Sequence, residues 1–214
     1  MSMSHAVQFY HDDVFLIDAV STFIRAGTKE NAVIIVVATQ QHCEELRNSL
    51  QANDMEIDDK VMYFDAVELL SAFMMDGWPN PTRFSSTVGG IIERAALSGP
   101  VRIYGEMVAV LWAEGKTRAA IWLEELWNEL ATRHAFSLLC GYPMSGFAEQ
   151  PDSLSFLQVC HTHTHVHPTQ WNFTCFSLVL HSPVSDHRNR YYFTPKIRVP
   201  LRAGPKLIPE PRSA

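Results

Sequence analysis

The period of hydrophobic and polar positions changes repeatedly along the first part of the chain. Residues 32–38 are apolar at every position and rich in β-branched side chains, which predicts a central strand covered on both faces. Before this run, Phe15, Ala19 and Phe23 recur at helical spacing, and Gly27 follows as a candidate C-cap. The two patterns predict a helix that leads into a buried strand.

The same alternation continues to residue 140. The predicted strands are residues 6–10, 32–38, 60–64, 101–104 and 136–140. The predicted helices are residues 11–26, 40–51, 65–75, 82–97 and 116–134. A repeated order of strand and then helix is typical of an α/β fold. We therefore predict a three-layer domain with a mostly parallel central sheet and helices on both of its faces.

The distribution of charge divides the chain near residue 169. The 214 residues are 47% hydrophobic and 19% charged, which suits one domain with a sizeable core. Residues 1–169 hold 10 Lys and Arg against 21 Asp and Glu, whereas residues 170–214 hold 7 against 2. We predict a domain over residues 1–169 and a basic, proline-rich tail over residues 170–214 that is partly extended or disordered. Nucleic-acid binding by the acidic domain is not expected, because Lys and Arg supply most of the affinity for phosphates.

Membrane and redox patterns point to a cytoplasmic protein. No apolar run is long enough to cross a bilayer, and the N-terminus has no basic flank followed by an apolar stretch. We therefore expect no membrane contact. Cys43, Cys140, Cys160 and Cys175 stand far apart without a CxxC pair, which predicts free thiols.

Polar or small residues follow the predicted strands, where an open parallel sheet binds its ligands. They are Tyr10, His11 and Asp12, then Thr39 and His42, Asp65, Gly105 and Glu106, and Cys140 and Tyr142. These positions predict a ligand site at the carboxyl edge of the sheet. Thr39 and Asp65 are better explained as helix N-caps.

Several of these side chains have two interpretations. Glu106 can stabilise a helix N-terminus, or it can orient a ligand in the crevice with His5 or His163 as partner. Glu124 and Asn128 share one helix face, so a polar contact within the fold is as reasonable as a ligand contact. For Trp112 and Tyr142 we favour core packing over a pocket rim.

Two patterns suggest a metal or a nucleotide, and we favour neither. His161, His163, His165 and His167 would face one side of an extended strand and could bind a metal with Cys160, but an exposed polar stretch is the favoured interpretation. The string closest to a P-loop, residues 110–117, has valine in place of the first glycine. We therefore predict no metal, no cofactor and no ATP hydrolysis.

Seven segments together resemble the MEDS family, the methanogen/methylotroph DcmR sensory domains. They are His5-Ala-Val-Gln-Phe-Tyr10 with Asp13; residues 33–39 with His42; Asp65-Ala66 with Phe73, Met74 and Gly77; Val101-Arg-Ile-Tyr-Gly-Glu-Met-Val-Ala109 with Leu111-Trp112; Leu123-Glu-Glu-Leu-Trp-Asn128; Leu139-Cys-Gly-Tyr-Pro143; and Cys160 with His163-Thr-His165-Val166. The resemblance covers about residues 5–169. It implies a fold related to the RecA and KaiC ATPases, and a sensory role for small hydrocarbon derivatives upstream of a histidine kinase or a DNA-binding output.

We therefore predict a homo-oligomeric signal-input domain, not an enzyme, that binds a small apolar ligand or a partner protein. The candidate ligand-binding residues are His5, Gln8, Tyr10, His42, Glu106, Trp112, Asn128, Cys140, Tyr142, His163 and His165. The alternatives are a metal-dependent enzyme and a non-catalytic oligomerisation module. Residues 170–214 show neither heptads nor a recognition-helix pattern, so a kinase or transcriptional output would need a separate partner chain.

Overall fold

The computed structural model describes residues 4–52, 60–148, 153–167 and 169. Its strands are β1 Ser4–Tyr10, β2 Val33–Ala38, β3 Val61–Asp65, β4 Met74–Met75, β5 Trp78–Pro79, β6 Val101–Gly105, β7 Phe136–Pro143 and β8 His165–His167. The predicted tail over residues 170–214 lies outside the described residues.

The helices are α1 Asp13–Lys29, α2 Gln40–Gln51, α3 Ala66–Phe73, α4 Pro81–Phe84, α5 Gly90–Ala96, α6 Met107–Ala113, α7 Thr117–Ala131, α8 Ser145–Ala148 and α9 Ser153–Thr162. A π-helical turn, Ser85–Gly89, joins α4 to α5. No helix among these residues is long and apolar enough to cross a membrane.

Six strands form one parallel sheet in the order β3-β2-β6-β7-β1-β8. Helices α1 and α2 pack on one face, where Leu16 and Leu46 belong to the same buried core as Ile34 of β2. Helices α3, α5, α6, α7 and α9 contribute to the core on the other face, which includes Ile35 of β2. Strand β2 is therefore buried on both faces, which explains its unbroken apolar sequence. The predicted three-layer α/β fold is confirmed.

The predicted helix over residues 65–75 ends earlier than expected. Helix α3 ends at Phe73, and Met74–Met75 instead pairs with Trp78–Pro79 as a small antiparallel hairpin. Its turn uses Asp76 and Gly77, which have φ of 49° and 81°. A glycine in this left-handed region costs little, so the local turn ends the helix although its apolar periodicity continues.

The predicted capping roles of Thr39 and Asp65 are confirmed. The Thr39 hydroxyl accepts from the backbone N–H of His42 (3.3 Å). Asp65 Oδ1 accepts from the N–H groups of Val67 (2.8 Å) and Glu68 (2.9 Å). Both side chains therefore satisfy N–H groups that the first helical turn leaves unpaired.

Replacing Asp65 by alanine is expected to lower the free energy of unfolding by about 1 kcal/mol, because α3 loses its N-cap. Urea unfolding followed by circular dichroism measures the change. Asp18→Ala is the matched control, since Asp18 is an exposed acid inside α1 and caps no helix. Equal stability of the wild type and Asp65→Ala would contradict the capping assignment.

The strand order places the carboxyl ends of β2 and β6 side by side. The chain leaves β2 through α2 on one face and leaves β6 through α6 and α7 on the other. Neighbouring strands whose connections run to opposite faces form a topological switch point, where open α/β sheets bind ligands. Thr39 and Glu106 directly follow these two strands.

Candidate functional site

The eleven candidate residues fall into two polar networks and three separate positions. The edge network consists of Asp13, Thr39, His42, Tyr104 and Glu106, and Tyr10 lies beside it. The buried cluster consists of His5, Glu124, Asn128, Cys140, Tyr142 and His163. Gln8, Trp112 and His165 lie outside both.

The carboxylate of Glu106 occupies the switch point between β2 and β6. Its backbone N–H donates to the Val37 carbonyl of β2 (2.9 Å), which holds the residue against the turn after that strand. Oε2 accepts from the N–H of Thr39 (2.9 Å), and Oε1 accepts from Nδ1 of His42 (2.7 Å) and from the hydroxyl of Tyr104 (2.6 Å). One buried carboxylate thus links β6, the turn after β2 and helix α2.

Histidine 42 connects this carboxylate to the solvent-facing start of α1. Its Nε2 lies 3.5 Å from Asp13 Oδ1, and the Asp13 side chain is half exposed. The hydrogen bond to Glu106 raises the pKa of His42 from 6.5 to about 9, against the opposing effect of burial. Burial and the nearby Glu106 raise the pKa of Tyr10 and of Tyr104 above the ordinary tyrosine value. The edge network therefore combines an imidazolium with a carboxylate.

The predicted capping contact and the predicted partners of Glu106 are wrong, and its role in orienting a ligand stays a prediction. It is the N-cap residue of α6, but its side chain makes no capping hydrogen bond. Its carboxylate contacts His42 and Tyr104 rather than His5 or His163. Helix α2 brings His42 to the switch point, whereas His5 and His163 lie with Glu124 in the other network.

The buried cluster surrounds the carboxylate of Glu124, which has no exposed surface. Oε2 lies 3.2 Å from Nε2 of His5 and accepts from the thiol of Cys140 (3.5 Å). Oε1 accepts from the hydroxyl of Tyr142 (3.0 Å) and lies 3.4 Å from Nε2 of His163. The cluster joins β1, α7, β7 and the segment after α9.

Carbonyl oxygens orient both histidine rings of the buried cluster. Nδ1 of His5 donates to Oδ1 of Asn128 (2.8 Å), and Nδ2 of Asn128 donates to the Thr162 carbonyl (2.9 Å). Nδ1 of His163 donates to the Val159 carbonyl (2.6 Å). The Nε2 atom of each ring therefore points toward the Glu124 carboxylate.

The charges of the buried cluster follow from these contacts. Burial alone would raise the pKa of Glu124, but His163 and His5 hold it well below its usual value. Burial and Glu124 together raise the pKa of Cys140 and Tyr142 well above their ordinary values. Burial lowers and Glu124 raises the pKa of His163, and the result is a raised value. Glu124 is thus the anionic centre of a cluster in which Cys140, Tyr142 and His163 favour their protonated forms.

Strand β7 separates the two networks at one glycine. Cys140 and Tyr142 belong to the core on the α7 face, while Tyr104 belongs to the core on the α1 face. A Cβ atom on Gly141 would lie 2.7 Å from the Tyr104 hydroxyl oxygen. Tyr104 therefore reaches Glu106 only because residue 141 has no side chain.

The three other candidates have separate surroundings. Trp112 is 3% exposed, packs edge to face on Tyr142 with ring centroids 5.5 Å apart, and donates from Nε1 to the Gly146 carbonyl (2.9 Å). Trp112 and Tyr142 thus pack in the core and line no open rim. Gln8 donates to the Phe9 carbonyl (2.9 Å), and His165 is exposed on β8.

The histidine string does not form one extended face. His161 lies in α9, whereas His165 and His167 lie in β8, and all three are exposed. His163, between the two elements, is 8% exposed and points into the buried cluster. The favoured interpretation of an exposed polar stretch holds for three of the four histidines.

A groove of about 640 Å³ lies beside α1 at the opposite end of the sheet. It is lined by Ala6, Gln8, Phe23, Arg102 and Leu139 among others. Of the candidate residues, Gln8 lines it, but it contains no member of either network. The groove and the clustered titratable groups are therefore different features of the domain.

Asp13 and Tyr104 were not predicted as site residues, and Glu124 was considered for a ligand contact but was not among the eleven candidates. Glu124 lies one turn from Ala120 and Trp127, which are buried in the core. A carboxylate on the apolar stripe of an amphipathic helix is the signal that identifies Glu124. Tyr104 and Asp13 carry no such signal, because their roles depend on how β6 and α1 meet the switch point.

A known protein family matches the part of the chain that forms this fold and both polar networks. The sequence model described as MEDS, the MEthanogen/methylotroph, DcmR Sensory domain, matches residues 4–164. The comparison with curated proteins gives no match. The matched range includes both polar networks and five of the six strands of the sheet, and it ends just before β8. The chain therefore belongs to the MEDS family of sensory domains.

Proposed function

We propose that this domain senses a small hydrocarbon derivative at the carboxyl edge of its sheet and passes the signal on by a change in the edge network. Glu106 lies at the switch point, where its carboxylate accepts hydrogen bonds from three donors, and the proposal rests on this position. Ligands of open α/β sheets bind at such points. Membership of a sensory family supports a role in signal input.

The edge network offers a physical route from ligand to signal. The donors to Glu106 come from the turn after β2, from α2 and from β6, and His42 adds a contact to α1. A ligand that replaces one donor loosens one of these links. A ligand shifts such an equilibrium only by its difference in affinity for the two states. We infer that the domain acts through this shift and not through turnover of a substrate.

The test measures thermal stabilisation of the purified chain by halogenated and one-carbon hydrocarbon derivatives. A ligand that binds the native state alone stabilises it by about 2.7 kcal/mol at a hundredfold excess over its dissociation constant. We expect saturable stabilisation of the wild type and its loss in Glu106→Gln. The control is Glu114→Gln, because Glu114 lies at the far end of α6 and its carboxylate bonds to Lys116 near the surface.

Two outcomes would contradict the proposal. One is stabilisation that persists in Glu106→Gln and disappears in a groove variant such as Leu139→Trp, which would move the ligand to the groove beside α1. The other is the absence of a shift with every compound, which would favour an interaction module. For the output we propose a separate histidine kinase or transcriptional regulator bound by a homo-oligomer of the domain.

A further inference from the structure

The buried cluster brings together four side chains that commonly bind transition metals. His5 comes from β1, Glu124 from α7, Cys140 from β7, and His163 from the turn after α9. One ligand atom from each lies within 4.8 Å of the others, and all four residues are buried. Imidazole nitrogen, thiolate sulfur and carboxylate oxygen are the protein ligands of zinc.

Three of the four ligand atoms have the spacing of a tetrahedral zinc site, and the fourth lies within 4.8 Å of them. Zinc binds nitrogen and oxygen at about 2.0–2.2 Å and sulfur at about 2.3 Å, so the edges of its tetrahedron are roughly 3.3–3.7 Å. Nε2 of His5 lies 3.2 Å from Oε2 of Glu124, and Sγ of Cys140 lies 3.5 Å from each of these two atoms. Nε2 of His163 lies 3.4 Å from the other oxygen of the same carboxylate.

The histidine tautomers point to a cation at the centre. Each Nδ1 faces a carbonyl oxygen that can only accept, so each Nδ1 carries a hydrogen. Once Nε2 has no proton, its lone pair faces the Glu124 carboxylate and can bind a cation beside it. Nε2 of His163 is buried and has no hydrogen-bond partner among the residues described. Metal-binding histidines are typically oriented in this way, by a hydrogen bond from the second ring nitrogen to a carbonyl or carboxylate oxygen.

The balance of charge favours a divalent ion over two protonated histidines. Two imidazolium rings beside one carboxylate would leave a net positive charge in the core, which is costly. A divalent ion with the Glu124 carboxylate, the Cys140 thiolate and two neutral imidazoles has no net charge. The thiol proton of Cys140 and the Nε2 proton of a protonated His163 both leave when the ion binds, as is usual for cysteine and histidine ligands. The Tyr142 hydroxyl, which donates to Oε1 of Glu124, leaves Oε2 for the metal.

We propose that Nε2 of His5, a carboxylate oxygen of Glu124, Sγ of Cys140 and Nε2 of His163 bind one divalent transition-metal ion of the zinc type. Asn128 and the Val159 carbonyl position the two imidazole rings. The ion holds β1, β7, α7 and the turn between α9 and β8 together. The site is separate from the edge network, so neither proposal depends on the other.

The experiment loads the untagged full chain with Zn²⁺ or Co²⁺ under reducing conditions and measures metal content and spectra. We expect one ion per chain, tetrahedral Co²⁺ absorption and a sulfur-to-cobalt charge-transfer band. Zinc-edge X-ray absorption of the wild type is expected to show one sulfur and three nitrogen or oxygen ligands, without the need for any variant. Binding of Zn²⁺ is expected to raise the melting temperature until one equivalent is bound.

Matched variants separate this site from the other cysteines and histidines. Cys140→Ser is expected to lose the charge-transfer band, and His163→Ala is expected to lose stoichiometric metal. Cys160→Ser and His165→Ala are the controls and are expected to retain both, because Cys160 and His165 are not among the four grouped ligands. The proposal is overturned if the wild type binds no stoichiometric ion, if its absorption spectrum shows no sulfur ligand, or if the controls lose the metal as the cluster variants do.

Discussion

Replacing Glu124 by alanine is expected to lower the free energy of unfolding by about 3–5 kcal/mol, the usual cost of removing one partner of a buried ion pair. The change leaves the hydroxyl of Tyr142 and the Nε2 atoms of His5 and His163 buried without the carboxylate that they face. Each unpaired buried polar group adds a desolvation cost. Chemical denaturation at neutral pH, followed by tryptophan fluorescence, measures the loss.

The neighbouring residue provides a matched control. Glu125 is the next residue of α7 and is exposed, so Glu125→Ala is expected to change the stability by no more than about 0.5 kcal/mol. Similar effects of the two substitutions would contradict the assignment of Glu124 as the centre of the cluster. Glu124→Gln keeps the shape of the side chain, so its loss relative to the wild type reports the contribution of the negative charge.

The stability of the domain is expected to fall by about 1–2 kcal/mol between pH 6.5 and pH 9 because of His42. Its pKa is raised from 6.5 to about 9 by the Glu106 carboxylate, so the folded state binds the proton more tightly than the unfolded state. The stabilisation is complete below pH 6.5 and is lost as the pH rises through 9. Taken in full, the pKa shift of His42 corresponds to a larger stabilisation than 1–2 kcal/mol. Solvent near the half-exposed Asp13 screens the charges, so we expect the smaller value.

The pH dependence is measured as the free energy of unfolding of the wild type relative to Glu106→Gln across the same range. The difference in free energy of unfolding between the wild type and Glu106→Gln is expected to shrink toward pH 9. The reason is that the variant lacks the charge that holds the proton on His42. His161→Gln is the control, since His161 is exposed and its substitution should leave the slope unchanged. A relative stability that rises with pH would show that His42 is not the proton-binding group.

The fold could be predicted from sequence because its signals are local. The unbroken apolar run of β2 and the caps Thr39 and Asp65 each depend on residues close in the chain. The short hairpin after α3 was missed because its turn competes with a helical pattern that continues beyond Phe73. Local turn geometry decided the boundary there, and apolar periodicity carries no information about it.

The sites could be predicted less well, because their members are distant in sequence. His5, Asn128, Cys140, Tyr142 and His163 were each selected, but nothing in the sequence indicated that they meet around Glu124. Their contact follows from the pairing of β1 between β7 and β8, which only the folded sheet establishes. The same holds for Glu106, whose partner His42 is brought to it by the register of β2 and β6.

The absence of a side chain at residue 141 makes the central sheet a mechanical connection between its two faces. Cys140 and Tyr142 touch Glu124 on one face, and the backbone of Gly141 abuts the tyrosine that donates to Glu106 on the other. A shift of β7 along β6 would therefore move Cys140 and Tyr142 relative to Glu124 and, at the same time, Gly141 relative to Tyr104. Movement of this one strand would be enough to couple the two faces of the sheet, without a chain of side-chain contacts between them.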